Sequence, residues 1–438
     1  MSHPKRRRQE VINTNKKSDF DFTSLLTYCS EEEKEKFSLG LKEHPISSLL
    51  LANEGIKEEL LNTFPGLQND KEDSLLYRFD KEEDRVGKSV EHFGGGFYIL
   101  DPSSALISLY LAPLLKKDFV SLDLCGAPGG KTIALDLRRR DGFYLCNDIS
   151  YPRADEIRKN AERLGLDNLL SLSVDPMKFA LEECFDSVIL DAPCSGSGMI
   201  RKEPKMALDY SKEKVERLLP IQETLFETAY SLLAKGGYLA YSTCSLSTEE
   251  DERQVEKFLS HHPDMEETKI PLKEGYVGGE NGHGIHLLPG VYQGEGIYFT
   301  ILKKKDGRSN SLHELALAEG KEDGSLRFRY RKNEYIVSKM YEEFTSLPFV
   351  APGLKVYDSS EHPKCSFDHA FSKVSSSLPL LPLTREEAIS YASGNEVKSQ
   401  GEDGLVILTF SGLRLGLGKR TSGKIKNYLP KGLRASLL

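Results

Sequence analysis

A repeated unit of strand, polar turn and helix between residues 119 and 191 constrains the fold more than any other feature. Each apolar run ends at an acidic residue or a glycine-rich turn. Strands that alternate with helices in this way form parallel sheets covered on both faces. The sequence therefore predicts an α/β domain built on a doubly wound, Rossmann-like parallel sheet. The predicted elements are strands at 119–124, 143–146, 169–174 and up to Asp191, and helices at 131–137 and 153–164.

Polar residues that follow these strands indicate a nucleoside-bearing cofactor, which open α/β sheets bind at the carboxyl ends of their strands. Asp148 lies where an acid accepts hydrogen bonds from ribose hydroxyls, and Asp175 lies where an acid can contact an adenine amino group. The glycine-rich turn at 125–130 lacks both phosphate patterns, because a P-loop needs glycine where this chain has Cys125 and no G-x-G-x-x-G is present. Such a turn suits S-adenosylmethionine. Alternatively, the glycines only make a tight turn from strand to helix.

Two cysteines occupy constrained turns after predicted strands. The run at 187–190 leads into DAPCSGSG at 191–198, and the strand at 238–241 delivers Cys244 into a polar turn. Proline restricts its own backbone and that of the residue before it, so this turn holds Cys194 beside Asp191. If both strands lie in one parallel sheet, both thiols emerge at the same edge. The alternative is that each cysteine is a small buried apolar residue.

Composition limits the class of protein. A chain of 438 residues, 29% of them charged, is expected to form two or three domains. No apolar run has the length of a membrane span and the N-terminus lacks the apolar core of a signal peptide, so we expect a cytoplasmic protein with no membrane partner. Seven cysteines without a C-x-x-C pair argue against a disulfide framework or a metal site.

Four segments are predicted along the chain. Residues 1–90 should form a basic tail and a mostly helical, RNA-binding element, and 91–304 the α/β domain. Within that domain, the acids at 249–252 should begin a helix and complement its dipole. A linker at 305–349 then leads to a small β-rich domain at 350–438.

The C-terminal end of the chain is basic, although the net charge of the whole is −8. From residue 404 onward there are seven lysines and arginines and no acid. Such a concentration predicts a nucleic-acid surface, and a solvated basic terminus is the alternative. We expect RNA as the partner and a monomeric protein. The seven residues are Arg414, Lys419, Arg420, Lys424, Lys426, Lys431 and Arg434.

A thiolate, a methyl donor and a basic module together suggest methylation of a pyrimidine. Cytosine C5 is a poor nucleophile, so a thiolate must first add to C6 and make C5 enamine-like. An acid near N3 would stabilise the developing ring charge. The thiol must lose its proton to attack, and the base must be unstacked.

The motifs LDLCGAPGGKT, DAPCSGSGMIRKEP and YSTCSLSTEEDE resemble those of the RNA cytosine-C5 methyltransferases of the Nop/Sun superfamily. The tail GLRLGLGKRTSGKIKNYLPKGLR is similar to the PUA-like C-terminal module of the RsmF (YebU) group, which modifies 16S ribosomal RNA. The resemblance implies an S-adenosylmethionine-dependent enzyme that acts on ribosomal RNA. The same chemistry on transfer RNA, and a non-catalytic RNA-binding factor for ribosome assembly, are the alternatives.

The resemblance also implies roles for individual residues. Cys244 is the nucleophile, Cys194 assists product release, and Asp191 contacts the cytosine near the cofactor. DNA cytosine methyltransferases instead use the thiol equivalent to Cys194, so spacing alone does not divide these roles. Asp148 replaces the glutamate that is common in the family. The implied cofactor-binding residues are Cys125, Gly126, Ala127, Pro128, Gly129, Gly130, Lys131, Asp148, Asp175 and Asp191, with Arg153 a further candidate.

Overall fold

The computed structural model describes residues 20–80, 84–315, 318–319, 326–358 and 367–438. The basic tail predicted at the N-terminus and Cys365 lie outside these residues. The six cysteines within them are free thiols. None of the helices described is both long enough and apolar enough to cross a bilayer.

The N-terminal region combines short helices with an antiparallel sheet. Its elements are α1 (Glu31–Gly40), β1 (Ile46–Leu51), α2 (Lys57–Thr63), β2 (Gln68–Asn69), β3 (Leu76–Asp80), α3 (Val90–Phe93) and β4 (Phe97–Leu100). A capping box of Ser30 and Glu33 begins α1. The four strands pair in the order β2-β3-β1-β4, so the prediction of a mostly helical element missed this sheet. The reason lies in β1, where Leu50 packs into the core of the next domain while Leu49 and Leu51 pack into the N-terminal core. A strand buried on both faces has no alternation that distinguishes it from a helix.

The central domain is the predicted doubly wound sheet. Its elements are α4 (Pro102–Leu111), β5 (Val120–Asp123), α5 (Gly130–Arg138), β6 (Phe143–Asn147), α6 (Tyr151–Leu164), β7 (Leu169–Leu172), β8 (Phe185–Asp191), α7 (Lys205–Asp209), α8 (Lys212–Leu232), β9 (Leu233–Thr243), α9 (Glu252–His261), β10 (Met265–Glu267), β11 (Val277–Gly278), β12 (Ile285–Leu287) and β13 (Ile297–Lys304). The parallel strands lie in the order β7-β6-β5-β8-β9, and β13 joins β9 antiparallel. The strand order reverses beside β5, the point where such sheets bind ligands.

Each face of this sheet buries its own apolar core. Ile133 of α5 and Ile157 of α6 pack on one face, and Leu225 of α8 and Val255 of α9 pack on the other. The strand β7 ends earlier than predicted because the side chain of Asn147 accepts a hydrogen bond from the N–H of Val174 at 2.8 Å. The same side chain donates to the Val174 carbonyl at 3.0 Å, so Asn147 bonds both backbone groups of Val174 in place of a strand partner.

The segment predicted as a linker contains ordered strands. They are β14 (Ala318–Glu319), β15 (Leu326–Tyr330), β16 (Asn333–Ile336), β17 (Phe349–Ala351) and β18 (Leu354–Asp358). Four of them form a small sheet in the order β14-β15-β16-β18, and β17 pairs antiparallel with β7 of the central sheet. The predicted boundary between 349 and 350 therefore falls inside a strand. Aromatic residues hold the segment in place, since the ring of Phe344 stacks on Phe185 with centroids 5.6 Å apart.

The C-terminal region is β-rich, as predicted. Its elements are α10 (Phe371–Val374), β19 (Leu380–Pro382), α11 (Arg385–Ala392), β20 (Val397–Lys398), β21 (Gly404–Phe410), β22 (Leu413–Thr421) and β23 (Lys424–Asn427). The sheet has the order β19-β21-β22-β23-β20. Arg385 joins it to the N-terminal region, with Nη2 2.5 Å from Glu91 Oε1 and 2.6 Å from Glu59 Oε1.

Candidate active site

The glycine-rich turn between β5 and α5 lies at the carboxyl edge of the sheet. Gly129 has a φ of 103°, a left-handed conformation that favours glycine. A Cβ at Gly126 would collide with Cys146 Sγ and lie 2.6 Å from Asp123 Cγ. The turn therefore packs tightly on the strand ends, which brings the N-terminus of α5 and its positive dipole end to this edge. The sequence predicted this placement for Cys125, Ala127, Pro128, Gly130 and Lys131 as well.

The two predicted cofactor acids follow β6 and β7. Asp148 is buried, and its Oδ1 accepts a hydrogen bond from the N–H of Ser150 at 2.9 Å. Arg153 lies with Nη1 3.2 Å from Asp148 Oδ2 and donates from Nη2 to the Ala127 carbonyl at 3.0 Å. Asp175 is half-buried and begins a short 3-10 turn. Because a carboxylate offers about four lone-pair sites, both acids keep acceptor capacity for a ribose or an adenine.

Exposed apolar side chains accompany these acids. Ile149 follows Asp148 and is 66% exposed, and Met177 lies two positions after Asp175 and is 63% exposed. The strands before them are neighbours, with Asn147 of β6 paired to Leu172 of β7. Apolar groups beside hydrogen-bonding acids are what the flat face and polar edge of a nucleoside base require. This fit to the nucleoside was not foreseen, although the positions just after the two acids could have indicated it.

The two predicted cysteines meet where β8 and β9 end. Their sulfur atoms are 2.8 Å apart, and the N–H of Cys244 donates to Cys194 Sγ at 3.2 Å. The hydrogen bond to Cys244, together with burial, raises the pKa of Cys194 well above its usual range. Cys194 is therefore a thiol at neutral pH and is placed to donate its S–H to the Cys244 sulfur. Burial also raises the pKa of Cys125, in the glycine-rich turn, to about 12.

Asp191 joins the cysteine turns to the glycine-rich turn. It ends β8 with its side chain 37% exposed, and Lys131 Nζ lies 2.6 Å from its Oδ2. Ser242 of β9 donates to Oδ1 at 2.8 Å. Burial acts to lower the pKa of Lys131, but the charge of Asp191, the hydrogen bond to Asp191 and the charge of Asp123 together outweigh burial and raise that pKa above its usual value. A charged Lys131 thus fixes the Asp191 carboxylate between the two turns.

Asp123, which the sequence interpretation did not single out, ends β5 directly beneath the glycine-rich turn. Its Oδ2 accepts a hydrogen bond from Thr132 Oγ1 at 2.7 Å, and its Oδ1 is buried with no partner among the described residues. Burial raises the pKa of Asp123 to about 7, and the nearby charge of Asp191 adds to the effect.

The acids before α9 are more than helix-start residues. Glu250, Asp251 and Glu252 are completely buried, whereas Glu249 is exposed. Glu250 accepts hydrogen bonds from the N–H of Ser195 and from Ser245 Oγ, at 2.9 and 2.7 Å. Because α9 begins only at Glu252, the first two of these buried acids lie in the turn before it. Sequence reasoning missed this role because a run of acids at a helix start is usually solvated.

A second buried cluster lies on the far side of Thr243. Thr243 Oγ1 donates to Asp251 Oδ1 at 2.5 Å, and His286 Nε2 lies 2.8 Å from Glu252 Oε1. Asp251, Glu252 and His286 offer ligand atoms within 4.8 Å of one another, although no metal site was predicted. Burial and the charge of Glu252 raise the pKa of Asp251 well above its usual value. Tyr28 stacks on His286 at 3.8 Å, so the N-terminal region covers this cluster.

The fold and this site define an S-adenosylmethionine-dependent methyltransferase. A family profile described as 16S rRNA methyltransferase RsmB/F matches residues 109–303, and one described as methyltransferase RsmF PUA domain matches residues 379–435. The central domain is thus an RsmB/F-type methyltransferase domain, and the C-terminal region is a PUA domain of the RsmF type.

Individual relatives agree with this assignment. Ribosomal RNA small subunit methyltransferase F of Shewanella woodyi is 29% identical over 400 residues, which cover 80% of this chain and 81% of that protein. The protein of the same name from Escherichia coli O7:K1 is 29% identical over 84% of this chain and 82% of its own length. A methyltransferase homolog protein from Pyrococcus horikoshii is similar in structure, with a TM-score of 0.54 and 25% identity over 64% of this chain and 93% of that one. NSun6 from the same organism, solved with SFG, shares the fold with a TM-score of 0.57 at 19% identity, over 65% of this chain and 97% of its own.

Proposed function

We propose that this enzyme methylates C5 of a cytosine in 16S ribosomal RNA through a covalent adduct between Cys244 and C6 of the base. The observation that supports it is the 2.8 Å approach of two thiols from separate turns, beside a half-exposed carboxylate. Cytosine-C5 chemistry requires a sulfur nucleophile and a group that eases its departure, and these turns offer both.

The hydrogen bond between the cysteines supports the division of labour between them. Cys194, a thiol of raised pKa, is placed to donate its S–H to the Cys244 sulfur, which attacks as the thiolate. The thiolate adds to C6 of the cytosine while the Asp191 carboxyl group contacts the ring at N3. S-adenosylmethionine, when bound, supplies the electrophilic methyl group. Water then takes the C5 proton, and the electron pair of that bond re-forms the double bond between C5 and C6 as the bond between C6 and sulfur breaks. Cys194 again donates a hydrogen bond to the Cys244 sulfur, which departs as the thiolate.

The cofactor would lie along the carboxyl edge on the other side of Asp191. The backbone of residues 125–131 and the N-terminus of α5 would contact its methionine part, Asp148 its ribose and Asp175 its adenine. Ile149 and Met177 would cover the faces of the adenine ring, since both are exposed and apolar. Arg153 would keep Asp148 oriented through the ion pair described above.

The choice of 16S ribosomal RNA follows the RsmB/F profile, which is described as a 16S rRNA methyltransferase, and the relatives named ribosomal RNA small subunit methyltransferase F. The basic residues of the C-terminal sheet would contact RNA phosphates. Lys419 and Lys426 face each other across β22 and β23, and Lys424 pairs with Thr421 at the end of the same ladder. Phosphate contacts position an RNA without reading its sequence.

Two cysteine variants test the chemistry. With labelled methyl donor and ribosomal RNA that lacks the modification, Cys244→Ala should incorporate no methyl group. Cys194→Ala should accumulate a covalent protein–RNA species on a denaturing gel, because the Cys244 sulfur leaves slowly without its hydrogen-bond donor. The double variant should lose that species. Cys184→Ser should behave as the wild type, because Cys184 lies just before β8, at the opposite end of that strand from Cys194.

An adduct with Cys244→Ala would reverse the two roles. The same assay with transfer RNA tests the other substrate class. Absence of incorporation into either RNA, free or in small subunits, would favour the non-catalytic alternative.

A further inference from the structure

We infer that Glu250 is a positioning residue that ties the two cysteine turns together and so sets the distance between their sulfur atoms. The inference deepens the proposed function and rests on it, because the distance matters only if both sulfurs serve one reaction. Glu250 is in contact with neither sulfur and would act through the residues next to them.

The contacts of the Glu250 carboxyl group span both turns. Oε1 accepts from the N–H of Ser195, the residue after Cys194, at 2.9 Å. Oε2 accepts from Oγ of Ser245, the residue after Cys244, at 2.7 Å. One carboxyl group therefore joins equivalent positions of two turns that lie fifty residues apart in the sequence. All three residues are buried, so water does not compete for these hydrogen bonds.

Glu250 is itself held in place from two sides. Gln222 of α8 donates from Nε2 to Glu250 Oε1 at 3.1 Å and to the Pro193 carbonyl at 3.0 Å. The hydroxyl of Tyr241, in β9, donates to the Glu250 carbonyl at 2.6 Å. Both the backbone and the side chain of Glu250 are thus anchored to neighbouring elements. A group anchored in this way can restrain two loops, whereas a mobile side chain would follow them.

The charge of Glu250 has a second effect on the site. It is among the groups that raise the pKa of Cys194, after the hydrogen bond to Cys244 and burial. The carboxylate therefore helps to keep Cys194 protonated while it holds Cys194 beside Cys244. The effects of the length and of the charge of the Glu250 side chain can be separated experimentally, because glutamine has the same length as glutamate but no charge.

The test measures the sulfur separation without methyl transfer. Hydrogen peroxide converts two adjacent thiols to a disulfide and is itself reduced to two water molecules, and peptide mass spectrometry reports the bond between Cys194 and Cys244. Glu250→Ala should form this disulfide about tenfold more slowly than the wild type, because the turns are no longer joined. In the methyl-transfer assay its kcat should fall about 100-fold while the KM for S-adenosylmethionine stays within about twofold.

Three further variants complete the design. Glu249→Ala is the matched control, since this neighbouring acid is exposed and its one ion pair within the described part of the chain is with Arg253 at 3.6 Å. It should match the wild type in both assays. Glu250→Gln should keep a nearly normal disulfide rate, with the pH profile of disulfide formation shifted to lower pH as the Cys194 pKa falls. Ser245→Ala removes the contact to Oε2, together with the hydrogen bond that Ser245 Oγ accepts from the N–H of Ser247 at 2.9 Å and its contact with Ser195 Oγ at 3.4 Å. Because the Ser195 half of the link to Glu250 remains, it should slow both reactions by a smaller factor than Glu250→Ala.

A wild-type disulfide rate in folded Glu250→Ala would overturn the inference, and so would a loss of kcat no larger than the fraction of unfolded protein. If Glu250→Ala does not fold, wild-type rates of both reactions in Ser245→Ala would overturn it. Failure of the proposed function has a different result: no methyl transfer by the wild type, whatever the disulfide rates are.

Discussion

Asp123 and Asp191 end neighbouring parallel strands of one sheet, yet their environments are opposite. Asp123 is sealed beneath the glycine-rich turn, with one oxygen bonded to Thr132 and the other without a partner among the described residues. Asp191 is half-exposed and is held by Lys131 and Ser242. The register explains the difference. Asp123 pairs with Ile189, so β8 continues beyond β5 and carries Asp191 past the sealed edge. A difference of one strand pleat separates a structural acid from one available to a ligand.

The largest expected effect is that of Asp191→Asn. Methyl transfer should fall about 10²–10³-fold, because an amide cannot share a proton with N3 while negative charge develops on the ring, as a carboxyl group can. The measurement is kcat/KM with labelled methyl donor, with Asp123→Asn as the matched control. If Asp191 takes part in the reaction and Asp123 is structural, Asp123→Asn loses much less activity per folded molecule than Asp191→Asn. Equal losses would mean that Asp123 is also part of the reaction.

Lys131→Met should lower kcat/KM about 100-fold. The methionine side chain fills most of the space of the lysine stem, but the Asp191 carboxylate loses the ammonium group that orients it. Lys131→Arg should not restore activity, because a planar guanidinium does not replace a compact ammonium in a buried site. Full activity in the methionine variant would show that Ser242 alone positions Asp191.

The wild type should lose about 2 kcal/mol of unfolding free energy between pH 5 and pH 8 because of Asp123, and Asp123→Asn should not show this loss. In the folded protein, burial raises the pKa of Asp123 to about 7, above its value of 3.8 when unfolded. The folded state therefore binds more protons across that window, and this carboxyl group contributes stability that is lost as the pH rises toward and through 7. Urea unfolding at both pH values measures the effect. An identical pH slope in wild type and variant would contradict the sealed environment.

Arg153→Ala should have the smallest effect. The Arg153 side chain is 58% exposed, so its ion pair with Asp148 contributes less than about 1 kcal/mol to stability. The Kd for S-adenosylmethionine should rise only a few-fold, because the N–H of Ser150 still orients Asp148. Titration calorimetry measures it, and a loss of binding would make Arg153 a direct ligand of the cofactor.

Local patterns in the sequence were sufficient to predict the strand ends and the polar turns of the central domain. Each apolar run leads to its own turn, and the topology of a parallel sheet brings Cys194 and Cys244 to one edge. Long-range contacts were not predictable in this way. The partners of Glu250 come from three elements, and the pairing of Glu252 with His286 joins residues 34 positions apart. The N-terminal sheet was not predicted because β1 is buried on both faces. Its apolar residues therefore do not alternate with polar ones, and the sequence does not distinguish it from a helix.

The strand β17 has a consequence for isolating the catalytic region. It pairs with β7 at the end of the central sheet, although it comes from the segment that connects the central domain to the C-terminal region. A truncated fragment that stops at Lys304 would leave the backbone groups of β7 open, and uncovered edges of this kind promote aggregation between copies. A fragment that extends past Ala351 would keep β17 paired with β7. A recombinant catalytic fragment that resists aggregation should therefore end beyond β17, well after the strands that hold the catalytic residues.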